Sequence, residues 1–182
     1  VGWFVRAFVV DVDRVDGAFD SGDAELLRLI EEMSAEELAE DAAFSLEEEQ
    51  PTLVQALRLW IMGTCDDEDW VAERALEAYE HICETLCSAS WGNGPYGREW
   101  IASGSRGLEQ LGIDGISFEA LRDSSSWSHE GCVRAVEQWE SVTVQRRSGV
   151  DPNDLDAVDE VIEVARMAAQ SPGCGVICFF SP

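Results

Sequence analysis

Two apolar runs, Trp3–Val12 and Gly175–Phe180, lie at opposite ends of the chain and set what it can fold into. Each is rich in Val, Ile or Phe and free of internal breakers, so each reads as a strand. Between them the pattern is mostly helical. The most economical arrangement places the two terminal strands side by side in one small sheet covered by several helices, an α/β fold of α+β type. With 182 residues, the chain is expected to form a single domain over residues 1–182. A hydrophobic content of 46% and seven Trp suffice for an ordinary core and exclude a disordered acidic tail.

The interior divides at its cap and turn signals. Ser21-Gly22-Asp23 caps a helix with Leu26, Leu27 and Ile30 at helical spacing, and Ser34-Ala35-Glu36-Glu37 has the form of a capping box opening the next. Pro51 suits the first turn of a helix that runs to Met62 and stops at Gly63. Asp66 to Cys87 is the longest helical pattern, with Val71, Ala75, Ala78, Tyr79, Ile82, Cys83 and Leu86 as its apolar stripe. Ser88 to Trp100 is dense in turn residues and reads as loop, as does Ser124-Ser125-Ser126. Gly104 to Arg122 is weakly patterned and reads as short helices. Ser128 is placed to cap a helix reaching about Val144, and Asp151-Pro152 opens another that ends at Ser171-Pro172-Gly173.

Charge narrows the function classes. Thirty-seven Asp and Glu face twelve Arg and no Lys, a formal net charge of −25. Such a chain is expected to repel nucleic acid and anionic membranes and to attract basic proteins or cations. Plainer origins for the acidity are solubility, life at high salt, or a genome whose codons favour Arg, Ala, Gly and Asp. The opening Val1-Gly2-Trp3-Phe4-Val5-Arg6 lacks a basic n-region and a small-residue cleavage site. No run approaches the roughly 18 apolar residues of a membrane span. A cytoplasmic location with reduced cysteines is therefore expected.

The opening strand running into Val10-Asp11-Val12-Asp13, the Ser21-Gly22-Asp23 cap, and the closing helix followed by Gly175-Val176-Ile177-Cys178-Phe179-Phe180 resemble small bacterial proteins of the YfbM-like kind. They look closer still to a related group of uncharacterised domains whose middle helix carries an aromatic near Tyr79 and a Cys near Cys83. The resemblance spans nearly the whole chain in layout. It implies an α/β domain with adjacent terminal strands and supplies no catalytic residues. The Trp91-Gly92-Asn93-Gly94-Pro95 segment and the acid content depart from it.

The most specific candidate site is a ridge of carboxylates. Asp66, Asp69, Glu73, Glu77, Glu80 and Glu84 recur at helical spacing opposite the apolar stripe. Over a rise of 1.5 Å per residue they would form a face roughly 27 Å long. Like-charge neighbours would cost that helix about 1–2.5 kcal/mol in all. Arg74 is the one basic residue between Asp66 and Cys87. The charge is also lopsided: residues 1–91 hold 23 acids and 5 Arg, residues 92–182 hold 14 and 7. The ridge reads either as a docking face for a basic protein, such as a nuclease toxin met by an immunity protein or antitoxin, or as a solvated face of an acidic protein.

Other constellations are less specific. Cys83, Cys87, His129 and Cys132, with His81 near in sequence, have ligand-like spacing and would suit a small metal- or thiol-dependent enzyme if their helices met. Their plainer reading is buried, reduced cysteine. Gly92-Asn93-Gly94 lacks the spacing and the Lys of a phosphate loop. Ser124 to Ser128, His129 and Glu130 carry hydrolase residue types without a nucleophile-elbow motif. No cofactor, metal ligand set or catalytic residue is assigned, an accessory domain with habitat-driven acidity remains an alternative, and the oligomeric state is not fixed by the sequence.

Overall fold

The computed structural model describes residues 3–63, 71, 74–96, 98–118 and 124–181. Strand β1 (Trp3–Val10) is apolar on both faces apart from Arg6, the pattern of an interior strand. The closing strand, here β4 (Gly175–Ser181), has the same character. The two pair antiparallel, with Val5 opposite Phe180, Ala7 opposite Cys178 and Val9 opposite Val176. The terminal strands are thus neighbours, as the sequence implies. Two further strands flank them. β2 (Ala89–Tyr96) pairs with β1, and β3 (Ser124–Trp127) pairs with β4, both antiparallel. The sheet order is β2-β1-β4-β3, and the fold is α+β.

Both flanking strands fall where the sequence reads as loop, and their position explains why. Each is an edge strand, where a Pro or a polar run does not break a ladder on the outer side. β2 contains Gly92, Asn93, Gly94 and Pro95, and its pairing with β1 slips between Trp3 and Val5.

The chain forms two compact units, residues 1–12 with 87–182, and residues 13–86. In the first, one sheet face is covered by α6 (Arg98–Leu111), α7 (His129–Ser141) and α9 (Pro152–Ala169), with the short α8 (Val144–Arg147) between the last two. Val5, Ala7, Val9, Val176, Cys178 and Phe180 of the sheet share a core with Leu108, Cys132, Trp139, Val158, Ile162 and Ala165 of the helices. Helix α6 runs unbroken to Leu111, so it takes up only the first part of the Gly104–Arg122 segment read as short helices; residues 112–118 are not helical. Gly104 and Gly107 weaken the pattern, and they do so because α9 lies against them. A Cβ on Gly107 would stand 2.5 Å from Val158 Cγ2 and 2.8 Å from the Asp154 carbonyl oxygen. Close backbone approach overrides the low helix propensity of glycine.

The 13–86 unit is helical. The chain enters it through α1 (Val12–Asp16), followed by α2 (Ala24–Met33), α3 (Ala35–Glu48), α4 (Leu53–Met62) and α5 (Ala75–Leu86). Its buried residues include Ile30, Leu38, Leu57, Ile61, Ala78 and Ile82. Asp23 caps α2, accepting from the backbone N–H groups of Glu25 and Leu26. Ser34 makes no such bond. It also closes α2, donating its N–H to the Ile30 carbonyl at φ −107°, ψ 21°, and so lacks the extended backbone an N-cap uses. The capping box forms instead at Thr52 and Gln55, one residue past Pro51. Gly63 ends α4 at φ 70°, while the Asp20 and Gly22 N–H groups take up the Trp60 and Ile61 carbonyls. Trp60 stacks on Tyr79 and meets the edge of Phe19. The Tyr79 hydroxyl donates to Asp16 Oδ1 at 3.2 Å. Burial, with Cys83 and Asp16 nearby, raises the phenol above its ordinary range.

Candidate partner-binding groove

Two polar contacts join α3 to α5 and the residue just ahead of it. Arg74 donates to Asp41 Oδ1 at 2.6 Å, Ser45 Oγ at 3.2 Å and the Pro51 carbonyl at 2.9 Å, and also pairs with Glu77. Burial opposes the charge on Arg74, but its bonds to Glu77 and Asp41 outweigh it and hold the guanidinium above its ordinary pKa. Asp41 uses its other oxygen to accept the Leu53 N–H at the start of α4. The second contact is His81, with Nε2 3.6 Å from Glu37 and Nδ1 3.9 Å from Glu84, a pairing of charges only when the imidazole is protonated. His81 is 8% exposed, and Nδ1 has no hydrogen-bond partner.

Beside this second contact lies a groove of about 440 Å³ walled by Glu36, Glu37, Glu40 and Glu84, with Met33, Ser34 and Thr85 between them. Met33 is 63% exposed. Residues 13–86 hold 22 acids and 4 Arg, a net charge of −18. Local pairs occupy three of those arginines: Arg28 with Glu25 and Glu32, Arg58 with Glu31, Arg74 with Asp41 and Glu77. Among the described residues, Glu36 and Glu40 make no ion pair. The groove therefore keeps a strong negative potential, which desolvation by an arriving surface would strengthen.

The six carboxylates of the sequence ridge fare differently. Asp66, Asp69 and Glu73 lie outside the described residues. Glu77, Glu80 and Glu84 stand on α5 at three- and four-residue spacing, Glu77 and Glu84 exposed and Glu80 half-buried. Glu77 turns to Arg74, and Glu84 joins the groove. The residues that the ridge omits are Glu36, Glu37 and Glu40 of α3. Glu36 and Glu40 share a face at four-residue spacing, a visible signal, but nothing local places that face beside Glu84.

The remaining candidates are accounted for within the unit of residues 1–12 and 87–182, or within 13–86. A cleft of about 810 Å³ between α6 and α9 contains the Arg106–Asp154 pair, bonded at 2.7 and 3.2 Å. Arg106 also donates to Ser103 Oγ, and Trp100 Nε1 donates to Glu160. The Arg106 bond holds the Asp154 carboxyl below the ordinary carboxylate range. The Ser103 oxygen accepts from the guanidinium and its hydroxyl bonds to the Asp154 carboxylate, so Ser103, Arg106 and Asp154 together read as a polar brace between two helices. His129 Nδ1 lies 2.9 Å from the Cys174 carbonyl oxygen. Burial pushes the Cys132 thiol up to about 12 and Cys178 higher still, which keeps both protonated. Cys83 is buried in the helical core. Among the described residues, no group of three or more His, Cys, Asp or Glu has the geometry to hold a metal ion. Among the same residues, no helix is long and apolar enough to cross a membrane.

An antiparallel sheet with helices packed on it defines the class as α+β. The chain belongs to DUF7691, a family described as a domain of unknown function, whose model matches residues 2–181. That match does not connect it with the YfbM-like proteins. No curated protein and no solved structure matches the chain.

Proposed function

We propose that this is an acidic binding protein whose 13–86 unit docks a basic protein, in the manner of an immunity protein or antitoxin that neutralises a basic toxin such as a nuclease. The observation that carries the reading is the groove: four carboxylates from two helices converge on one concavity, and the neighbouring arginines are engaged elsewhere. Like charges gathered this way repel one another. A cationic surface that covers them relieves the repulsion and gains rapid, salt-sensitive association.

The test compares wild type with a variant carrying Glu36→Gln, Glu37→Gln, Glu40→Gln and Glu84→Gln. Both are immobilised and exposed to extract of the source cells at low and high salt. Wild type should retain a basic protein at about 50 mM salt and lose it above about 500 mM, and the variant should retain about tenfold less at low salt. Equal recovery by the two proteins would remove the groove as the reason for binding.

A further inference from the structure

Helix α3 is weakly anchored for its length. Of its 14 residues only Leu38 and Ser45 are buried, so one apolar side chain reaches the core. The shorter α4 buries Leu53, Ala56, Leu57 and Ile61. The ends of α3 are weak as well. Ser34 makes no side-chain cap bond, and Glu49 closes the helix at φ 54°, a left-handed conformation that glycine ordinarily supplies.

Charge compounds this. Residues 35–48 include Glu36, Glu37, Glu40, Asp41, Glu47 and Glu48 and no basic residue. Glu36 with Glu40, and Glu37 with Glu40 and Asp41, are like-charged neighbours at three- and four-residue spacing. Glu47 and Glu48 stand at the negative end of the helix dipole, where a cation would be favourable. Against this repulsion, Asp41 and Ser45 hold α3 through the Arg74 guanidinium, at 2.6 and 3.2 Å, and Asp41 accepts the Leu53 N–H at 2.7 Å.

Salt acts unequally on the attraction and the repulsion. Arg74 and Asp41 are 14% and 13% exposed and in direct contact, so ions screen their pair little. Glu36, Glu37, Glu40, Glu47 and Glu48 are exposed. Their mutual repulsion fades as the screening length contracts from about 30 Å at 0.01 M salt to about 3 Å at 1 M.

We propose that α3 is a salt-gated flap: it detaches from α4 and α5 when its carboxylates repel unscreened, and it docks as cations gather around them. Glu36, Glu37 and Glu40 supply three of the four groove carboxylates, so the groove is complete only while α3 is docked. Dissolved ions suffice for the change, and no partner is needed. A detached helix of this length is marginal in water, so undocking brings loss of its backbone hydrogen bonds.

Hydrogen exchange of the whole chain, read by mass spectrometry as protection factors, tests this. Between about 0.01 M and about 0.5 M NaCl, protection of α3 should rise about tenfold, against less than about twofold in α4, which has one Arg and no acid. In the variant Glu40→Gln, Glu47→Gln, Glu48→Gln, protection of α3 at low salt should already approach the high-salt value of wild type. All three side chains are exposed, so the variant should melt no lower than wild type. Equal rises in α3 and α4 would show the 13–86 unit opening as one body. Protection of α3 indifferent to salt, or to the three substitutions, would show that charge does not govern its docking. Any of these results overturns the proposal.

Discussion

The two units of this chain solve stability in different ways. The unit of residues 1–12 and 87–182 is held by a backbone ladder and by helices packed close on glycine, and it carries 15 acids against 8 Arg. The 13–86 unit has no strand among its described residues and carries about three times as many acids per basic residue as the other unit, 22 against 4. Its helices are tied by a polar bridge whose partners are far apart in sequence, Arg74 to Asp41, and His81 lies close to Glu37 across the same helices. Charge is therefore concentrated where side chains, rather than a sheet, fix the architecture. Such a scaffold holds a groove of carboxylates open to solvent, and the same repulsion that makes it receptive lowers its stability.

Breaking the brace should show this most strongly. Arg74→Met removes a cation that is 14% exposed and strands Asp41, 13% exposed. The expected loss is about 3 kcal/mol in urea unfolding, with the amides of residues 13–86 losing protection first. Gly107→Ala attacks the other unit by crowding Asp154 and Val158. It should cost about 2 kcal/mol, read in the amides of α6 and α9. Gly63→Ala forces an alanine into φ 70° and against the Asp20 carboxylate, for about 1–2 kcal/mol in thermal unfolding.

The last test concerns slope rather than size. Asp154 has its pKa lowered by Arg106, so its contribution is complete above the ordinary carboxylate range and is lost as pH falls through the lower folded value. Between about pH 5 and pH 2, wild-type stability should fall more steeply than that of Asp154→Asn. Parallel curves would show that the pair contributes nothing to acid sensitivity.

What could be read from the sequence followed the same division. The central strands were legible because Val9, Val10, Ile177 and Phe179 leave no polar face. The edge strands were not, because Pro95 and Ser124–Ser126 are tolerated only by virtue of a position that the sequence does not state. Gly104 and Gly107 disguised α6 for a tertiary reason, the approach of α9. Caps at Asp23, Ser128 and Asp151 were legible, since each acts within three residues. The acids of the groove were visible as acids. Their convergence was not, because it depends on contacts that link residue 37 to 81 and 41 to 74.

Strand β4 occupies an interior place in the sheet although residues 175–181 are synthesised after every other element described. On the ribosome, β1 is made well before β4 and has one long side without its native neighbour until residues 175–181 follow. Translation that stalls near residue 174 would release a chain with an open apolar edge, the usual template for intermolecular strand pairing. The interval between the making of β1 and the making of β4 is when this edge stands open.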